Sequence, residues 1–366
     1  MSKESIKQRS TNIELLRIIS MLMILTLHYL GGGKVLENVR FGSANYFIMW
    51  TLEAVCFVSV NCYVLISGYF LVNSKFKLNK LILLWSEVFF YSIIIYFSLL
   101  ATGIVHLSLK DLAFAMFPII TRKWWFASCY IALYILVPFL NIAAKAMSKT
   151  QMEALIIVST IMLCLPHDTF NVAGGYSLIW FIFLYFAAAY LRLHKPNFKY
   201  LNNKTHCFIM FIVFSLVVAL IKFIKAFILI KLKGNEIMPF FLYSYNSIFI
   251  LIASIMLFMF FLKVDIKNKM LCKFINITAS LTFGIYLIHA HFALRDKLWV
   301  YLGSQKYLDS PLMIFHLTLC VLLVFTVCGI IEYLRKLLFK GLKIEYLIEK
   351  ISLNIRNKLK DLNSNT

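Results

Sequence analysis

The sequence predicts an all-α protein that crosses a lipid bilayer about ten times, with both termini in the cytoplasm. Three observations support this prediction: an apolar composition, long apolar stretches and an uneven distribution of positive charge. Hydrophobic residues make up 61% of the 366 residues, charged residues only 14%, and the mean hydropathy is +0.83. Because soluble domains are about half apolar and about a quarter charged, this composition excludes a soluble globular protein, a disordered chain and a secreted disulfide scaffold.

The apolar stretches set the number of predicted crossings. A helix that crosses a bilayer needs about 20 predominantly apolar residues. No long hydrophilic stretch separates the candidates, so we expect one integral-membrane domain over 1–333, followed by a basic cytoplasmic tail over 334–366. The ten candidate spans are 13–31, 46–72, 81–103, 124–143, 152–166, 176–192, 206–222, 240–262, 274–294 and 311–333.

The positive charges predict the orientation. The chain has 37 Lys and Arg against 16 Asp and Glu, a net charge of +21. With the N-terminus inside, 24 cations fall in cytoplasmic segments and 12 in outside segments, which is the bias seen in multi-pass membrane proteins. Four lysines between 222 and 233 fit this scheme poorly, so they belong to an interfacial helix or the seventh span is misplaced. The hydropathy favours a bilayer over nucleic acid as the partner of the basic chain.

Ionisable residues inside the predicted spans indicate function, because each costs several kcal/mol in lipid. Arg17 and His28 are 11 residues apart in the first span, so a helix places them on one face, about 16 Å apart along its axis. Arg17 then lies near the cytoplasmic surface and His28 toward the outer half. Glu14, within one turn, is positioned to hold the guanidinium.

Other polar residues in the spans have competing explanations. Glu53 and Glu87 either pair with cations or backbone groups, or serve the site. His289 is either interfacial or part of the site. His106 and Asp111 match an H-x4-D spacing, but this short match has no partner motif and is attributed to chance. The cysteines show no CxxC or Cys/His spacing, so no metal site is predicted.

Four blocks of sequence follow one another along the chain: NIELLRIISMLMILTLHYL with its Arg-x10-His spacing, VNCYVLISGYFLVNSKFKLNK, KWWFASCYIALYILVPFLN and SLTFGIYLIH. In these blocks and in their order the chain resembles acyltransferase family 3, which includes integral-membrane O-acetyltransferases of bacterial surface polysaccharides. The resemblance implies a ten-span cell-membrane enzyme that moves an acetyl group from cytoplasmic acetyl-CoA to a saccharide hydroxyl. Its histidine corresponds to His28 as the catalytic residue and its arginine to Arg17.

The resemblance also suggests roles for further residues. Arg17 with Lys75, Lys77 and Lys80 would bind the phosphates of coenzyme A, the donor substrate; no permanently bound cofactor is expected. Where the family often has an Arg-x-Arg pair, this chain has Lys75-Phe76-Lys77, which supplies charge without a bidentate fork.

His28 would act as general base or acyl carrier. A carboxylate, Glu53 or Glu87, would orient it as in a catalytic triad. The saccharide, a capsule, O-antigen or similar glycan, would contact aromatic and histidine side chains: Tyr69, Trp124, Trp125 and His289. The two tryptophans also fit an interfacial aromatic belt.

Two other function classes fit the same composition. A polysaccharide flippase or polymerase would have many spans but no need for acyl-CoA. An acyltransferase that modifies lipids or proteins would use the same donor with a different acceptor. A purely structural membrane protein would not need Arg17 and His28 on one buried helix face.

Overall fold

The apolar stretches of the sequence form α-helices. The computed structural model describes residues 10–164, 170, 172–197, 199–233 and 242–364, and these ranges contain no β-strand. Two short 3-10 helices cover Ala173–Gly175 and Lys199–Asn202. The α-helices in the described ranges are α1 Thr11–Gly31, α2 Val35–Asn38, α3 Ala44–Cys56, α4 Ser59–Leu71, α5 Leu78–Ala101, α6 Leu109–Met116, α7 Trp125–Ala146, α8 Lys149–Leu163, α9 Leu178–Leu193, α10 Lys204–Lys233, α11 Ile248–Leu262, α12 Lys269–Ala279, α13 Thr282–His289, α14 Arg295–Tyr301, α15 Met313–Gly341 and α16 Ile344–Ser364.

Seven helical segments of the described chain are long and apolar enough to cross a membrane. They are Thr11–Gly31, Ala44–Leu71, Leu78–Ala101, Trp125–Ala146, Lys204–Leu232, Lys269–His289 and Met313–Gly341. Each of the ten predicted stretches overlaps a helix, but α8, α9 and α11 have only 15, 16 and 15 residues. At about 1.5 Å per residue such helices are shorter than a hydrocarbon core of about 30 Å. The predicted count of about ten crossings is therefore not confirmed.

Two predicted spans are broken helices. The second divides into α3 and α4 at Phe57 and Val58, and the ninth divides into α12 and α13 at Ser280 and Leu281. At the break between α12 and α13, the Ser280 hydroxyl donates to the backbone oxygen of Ile277 at 2.6 Å. Such side-chain bonds compete with the helical ladder, and beyond the break α13 contacts α1, α5 and α15.

Helix α1 lies at the centre of the fold, where it contacts α3, α4, α12 and α15. Leu16, Leu25 and Leu30 are completely buried on it. The helix ends at Gly31, within the glycine run. A Cβ atom at Gly33 would overlap the backbone oxygen of Tyr29 and the Ser304 side chain, so glycine permits this close turn.

Two sequence assignments fall within continuous helices of the structure. The lysines of 222–233 lie in α10, a continuous 30-residue helix, and not in an outside loop. Lys222 is completely buried and donates to the Tyr46 hydroxyl at 2.8 Å. The predicted tail boundary after 333 falls inside α15, which continues to Gly341 before α16 begins.

Candidate active site

A cavity of about 530 Å³ runs alongside α1. Arg17 lies at one end of its lining with Glu87 and Lys336, and His28 lies further along with Glu53. Between them the wall is mostly apolar and aromatic. A second cavity of about 420 Å³ adjoins the first, and Lys80 lines it. The two cavities share five lining residues: Arg17, Ser67, Leu84, Glu87 and Tyr130.

Helix α1 places Arg17 and His28 on the same cavity, as their 11-residue spacing predicts. The Arg17 guanidinium donates to both carboxylate oxygens of Glu14 at 3.4 Å, and its side chain is about one-third exposed. The Tyr63 hydroxyl donates to the backbone oxygen of Arg17 at 2.8 Å. Arg17 is therefore held at the cavity wall by one carboxylate and remains accessible to an anion.

His28 is paired with His289 of α13. The Nδ1 atom of His28 lies 3.0 Å from Nε2 of His289, and Nδ1 of His289 lies 2.6 Å from the backbone oxygen of Ile285. Because a carbonyl oxygen only accepts, neutral His289 carries its proton on Nδ1 and accepts on Nε2. His28 must then donate from Nδ1. Its remaining nitrogen, Nε2, carries the lone pair that can act as base or nucleophile.

Glu87 belongs to a buried ion cluster and not to the histidine pair. The Arg335 guanidinium donates to Glu87 at 3.1 Å and to the two oxygens of Glu332 at 2.7 and 2.8 Å. The Tyr91 hydroxyl donates to Glu332 at 2.7 Å. Orientation of His28 by Glu87 therefore has no geometric basis, because the groups that hold His28 and Glu87 are different.

Glu53 also makes no hydrogen bond to His28. It lines the cavity, is nine-tenths buried, and its Oε2 has no hydrogen-bond partner among the described residues. No salt bridge in the described part of the chain involves it. The described hydrogen-bond partner of His28 is thus His289 and not a carboxylate. Glu53 faces the cavity, and its Oε2 could still accept a hydrogen bond.

Of the predicted saccharide-contacting aromatic residues, only Trp125 lines the cavity. Trp124 is buried beside it and donates from Nε1 to the backbone oxygen of Leu287 at 3.2 Å. Tyr69 lies against Arg192, whose guanidinium donates to its hydroxyl at 3.1 Å. Trp124 and Tyr69 therefore pack helices together and are not placed to touch a ligand in this cavity.

The predicted phosphate-binding lysines separate into two groups. Lys80 lines the cavity that adjoins Arg17. Lys75 and Lys77 line a different cavity of about 250 Å³, closed on its other side by Arg356 and Ser352 of α16. The structure thus brings Lys80, but not Lys75 and Lys77, to the Arg17 end of the main cavity.

The chemistry of the site contains no obvious metal centre. Among the residues that the structure describes, no group of three or more His, Cys, Asp and Glu side chains is arranged to hold a metal ion. The ionisable groups that line the cavity include the His28 imidazole with its Nε2 lone pair, the carboxyl group of Glu53 and the cation of Arg17. This set can transfer protons and bind anions.

The sequence matches the family model of the acyltransferase domain (Acyl_transf_3) over residues 10–333. The chain belongs to acyltransferase family 3. The match covers nearly the whole chain, so the fold described above is that of a membrane acyltransferase. No curated protein and no solved structure matches the sequence.

Sequence reasoning overlooked two parts of the site of this family 3 acyltransferase. One is the partnership of Glu332 and Arg335, three residues apart on α15, with Glu87. Glu332 lies within the tenth predicted span. Because an acidic residue is costly in lipid, its presence there could have indicated a buried ion pair. The other is the aromatic wall contributed by Tyr176, Tyr245 and Tyr286. These tyrosines carry no local signal, because the chain separates them widely.

Proposed function

We propose that this acyltransferase works in the cell membrane and moves an acetyl group from acetyl-CoA to a hydroxyl of a cell-surface or lipid-linked saccharide. The observation that supports this best is the Nε2 atom of His28, which makes no hydrogen bond to a described residue and belongs to a cavity that continues past Arg17 toward Lys80. An elongated donor with anionic groups at one end and a thioester at the other fits such a cavity. In this proposal the Arg17 end faces the cytoplasm, where acetyl-CoA is available.

Arg17 and Lys80 would bind the phosphates of coenzyme A. Charge-assisted hydrogen bonds from guanidinium to phosphate are the strong and geometrically specific kind. The pantetheine arm would lie along the apolar wall, over the roughly 16 Å of helix axis that separates Arg17 from His28. The thioester carbonyl would then reach His28.

His28 would act as the general base. Its Nε2 takes the proton of the acceptor hydroxyl as that oxygen attacks the thioester carbonyl. The tetrahedral adduct then expels the coenzyme A sulfur, and the protonated His28 returns the proton to that thiolate. The C–S bond breaks, an ester C–O bond forms, and the proton passes from acceptor to thiol, so no further reactant is needed.

His289 would keep His28 in the reactive tautomer. By accepting from Nδ1 it fixes the imidazole ring and leaves Nε2 free, the task that a carboxylate performs in a catalytic triad. The same nitrogen would carry the acetyl group if the reaction proceeded through an acyl-histidine. Rapid acid quenching of protein incubated with labelled acetyl-CoA alone distinguishes the routes, since only the acyl-histidine route leaves label on His28.

The proposed function is tested by comparing the surface glycans of producing cells with those of cells that lack the protein. Loss of O-acetyl signals from the glycan NMR spectrum is the expected result. Glycans with unchanged O-acetylation would contradict the saccharide acceptor. Loss of acetyl groups from lipids or proteins instead would assign the acceptor to that class.

A further inference from the structure

We propose that Glu53, Trp125, Tyr176 and Tyr245 form the acceptor subsite, in which Glu53 accepts a hydrogen bond from a second hydroxyl of the sugar that His28 deprotonates. This inference rests on the proposed function, because it assigns the acceptor-binding part of the same cavity. All four residues line that cavity together with His28.

The unused carboxyl group of Glu53 indicates that a ligand completes the site. Glu53 is nine-tenths buried, and its Oε2 lacks a hydrogen-bond partner among the described residues. Leaving a buried polar group unpaired costs about 1–3 kcal/mol, and more for a charged one. An unpaired buried group of this kind is often retained because it binds a ligand. The hydroxyl groups of a bound ligand would donate hydrogen bonds to Glu53 and remove this cost.

Aromatic rings stand next to this carboxyl group. The Trp125 ring centroid lies 4.5 Å from that of Tyr176 and 5.9 Å from that of Tyr245, and the two tyrosine centroids are 4.9 Å apart. Phe57 extends the cluster, 4.9 Å from Tyr245. Glu53 precedes Phe57 by one helical turn, since the Phe57 backbone N–H donates to the Glu53 backbone oxygen at 3.0 Å, and it lines the same cavity as both tyrosines.

This combination fits a pyranose better than an apolar acceptor. The C–H face of a sugar ring packs on aromatic side chains, while its hydroxyls need acceptors in fixed positions. Ligand sites are mostly apolar surfaces with a few such polar groups that set orientation. With Glu53 holding one hydroxyl and the aromatic cluster holding the ring, a neighbouring hydroxyl is presented to Nε2 of His28.

The loops bring these residues together. Tyr176 follows a 3-10 turn in which Gly175 has a positive φ of 90°, and Tyr245 donates from its backbone N–H to the oxygen of Gly174 at 2.9 Å. A Cβ atom at position 175 would approach the Tyr245 side chain to 2.5 Å. The segment before α9 and the segment before α11 are thus packed directly against each other at the subsite.

The test uses the full-length protein in lipid nanodiscs, labelled acetyl-CoA and de-O-acetylated surface glycan purified from producing cells. Glu53→Gln and Glu53→Ala are compared with Glu37→Gln, which alters an exposed carboxylate on α2. We expect Glu53→Ala to lower kcat/KM for the glycan about 10- to 100-fold, within the range for leaving a buried hydrogen-bonding group of the bound sugar unpaired. Glu53→Gln keeps a carbonyl oxygen as acceptor, so its loss should be smaller. KM for acetyl-CoA should stay within about twofold, because the donor-binding cations are unchanged.

Each other outcome has a definite meaning. Glu53→Ala with unchanged kcat/KM for the glycan would overturn the subsite, and so would a parallel rise in KM for acetyl-CoA. If Glu53→Gln and Glu53→Ala lower kcat/KM for the glycan equally, the charge of the carboxylate is what matters. Glu53 would then bind a cationic group of the acceptor, and the proposed hydrogen bond to a hydroxyl would be wrong. If the unaltered protein transfers no label to the glycan, the proposed function itself fails. If it does and the Glu53 variants match it, only the subsite fails.

Discussion

The two ends of the main cavity differ in how completely their charges are paired. At the Arg17 end, Arg17 contacts Glu14, and the Arg335 guanidinium is shared between Glu87 and Glu332. At the His28 end, the histidine pair is held by hydrogen bonds, and within the described part of the chain it forms no ion pair and one oxygen of the Glu53 carboxyl group has no partner. The Arg17 end is therefore held by ion pairs, whereas the His28 end has a hydrogen-bonding group to which a ligand can bind.

This difference suggests a division of labour. Buried ion pairs are expensive to form and very costly to break one partner at a time, so the Arg17 end should tolerate little change in its framework. The His28 end holds its reactive group through a single neutral partner. Substitutions there should change chemistry more than stability. Variants at the two ends therefore test this contrast, and those at His28 should have the strongest consequences.

Replacing His28 with Ala should abolish measurable transfer. General-base catalysis is worth about 10²–10⁴ in rate, and no other base in the described cavity lies in its place. Transfer of labelled acetyl groups to glycan checks this, with insertion and thermal unfolding measured in parallel. His106→Ala, on the exposed segment before α6, is the control and should leave transfer unchanged. A His28→Ala enzyme with near-normal turnover would remove His28 from the chemistry.

His289→Gln should lower kcat about 10- to 100-fold and leave KM for acetyl-CoA almost unchanged, since the loss of a positioning partner acts on the transition state. A purely structural His289 would lower the amount of folded protein without changing the pH profile of kcat. A positioning His289 changes that profile, because the hydrogen bond to Nδ1 of His28 is altered. An unshifted profile with normal kcat would contradict the tautomer argument.

Arg17→Ala should raise KM for acetyl-CoA about tenfold, the equivalent of about 1.4 kcal/mol of binding free energy. Its effect on kcat should be smaller, because the guanidinium lies far from the reacting atoms along α1. Arg17→Lys should recover part of the affinity, since lysine restores charge without the planar fork. The measurement is steady-state kinetics at fixed glycan. An unchanged KM would separate Arg17 from the donor.

Gly284→Ala should destabilise the fold at the ion cluster. A Cβ atom at this position would overlap the Glu332 carboxylate, and overpacking typically costs about 1–3 kcal/mol. Gly329→Ala is the matched control on the facing helix, where the added Cβ atom would lie 3.6 Å from its nearest neighbour, Cδ1 of Ile285. Thermal unfolding in detergent should show a lower Tm for Gly284→Ala only. Equal Tm values would show that the ion cluster around Glu332 accommodates the added methyl group without loss of stability.

The smallest effect is expected from replacing Lys75 and Lys77 together with Ala. Both are exposed and line the cavity under α16, where isolated surface charges contribute about 0–1 kcal/mol. KM for acetyl-CoA should therefore change less than about fivefold. Lys80→Ala, beside Arg17, should have the larger effect. The reverse order would show that coenzyme A phosphates bind under α16.

Local sequence patterns predict much of the fold, whereas long-range packing determines most of the site. Helical periodicity alone predicts that Arg17 and His28 share a face, and apolar stretches predict where helices lie. The partner of His28 is 261 residues away, and the partner of Glu87 is 248 residues away. No spacing rule links such positions. The breaks in α3–α4 and α12–α13 also escaped prediction, because an apolar run looks the same whether its helix is continuous or broken.

Acetyl transfer by the purified protein is the decisive measurement for the proposed chemistry. Full-length protein in nanodiscs, supplied with labelled acetyl-CoA and de-O-acetylated surface glycan, is assayed for alkali-labile label on the glycan and for free coenzyme A thiol. We expect equal amounts of ester and thiol with unaltered protein, and neither with His28→Ala. Thiol release without glycan label, or equal transfer by both proteins, would contradict the proposal.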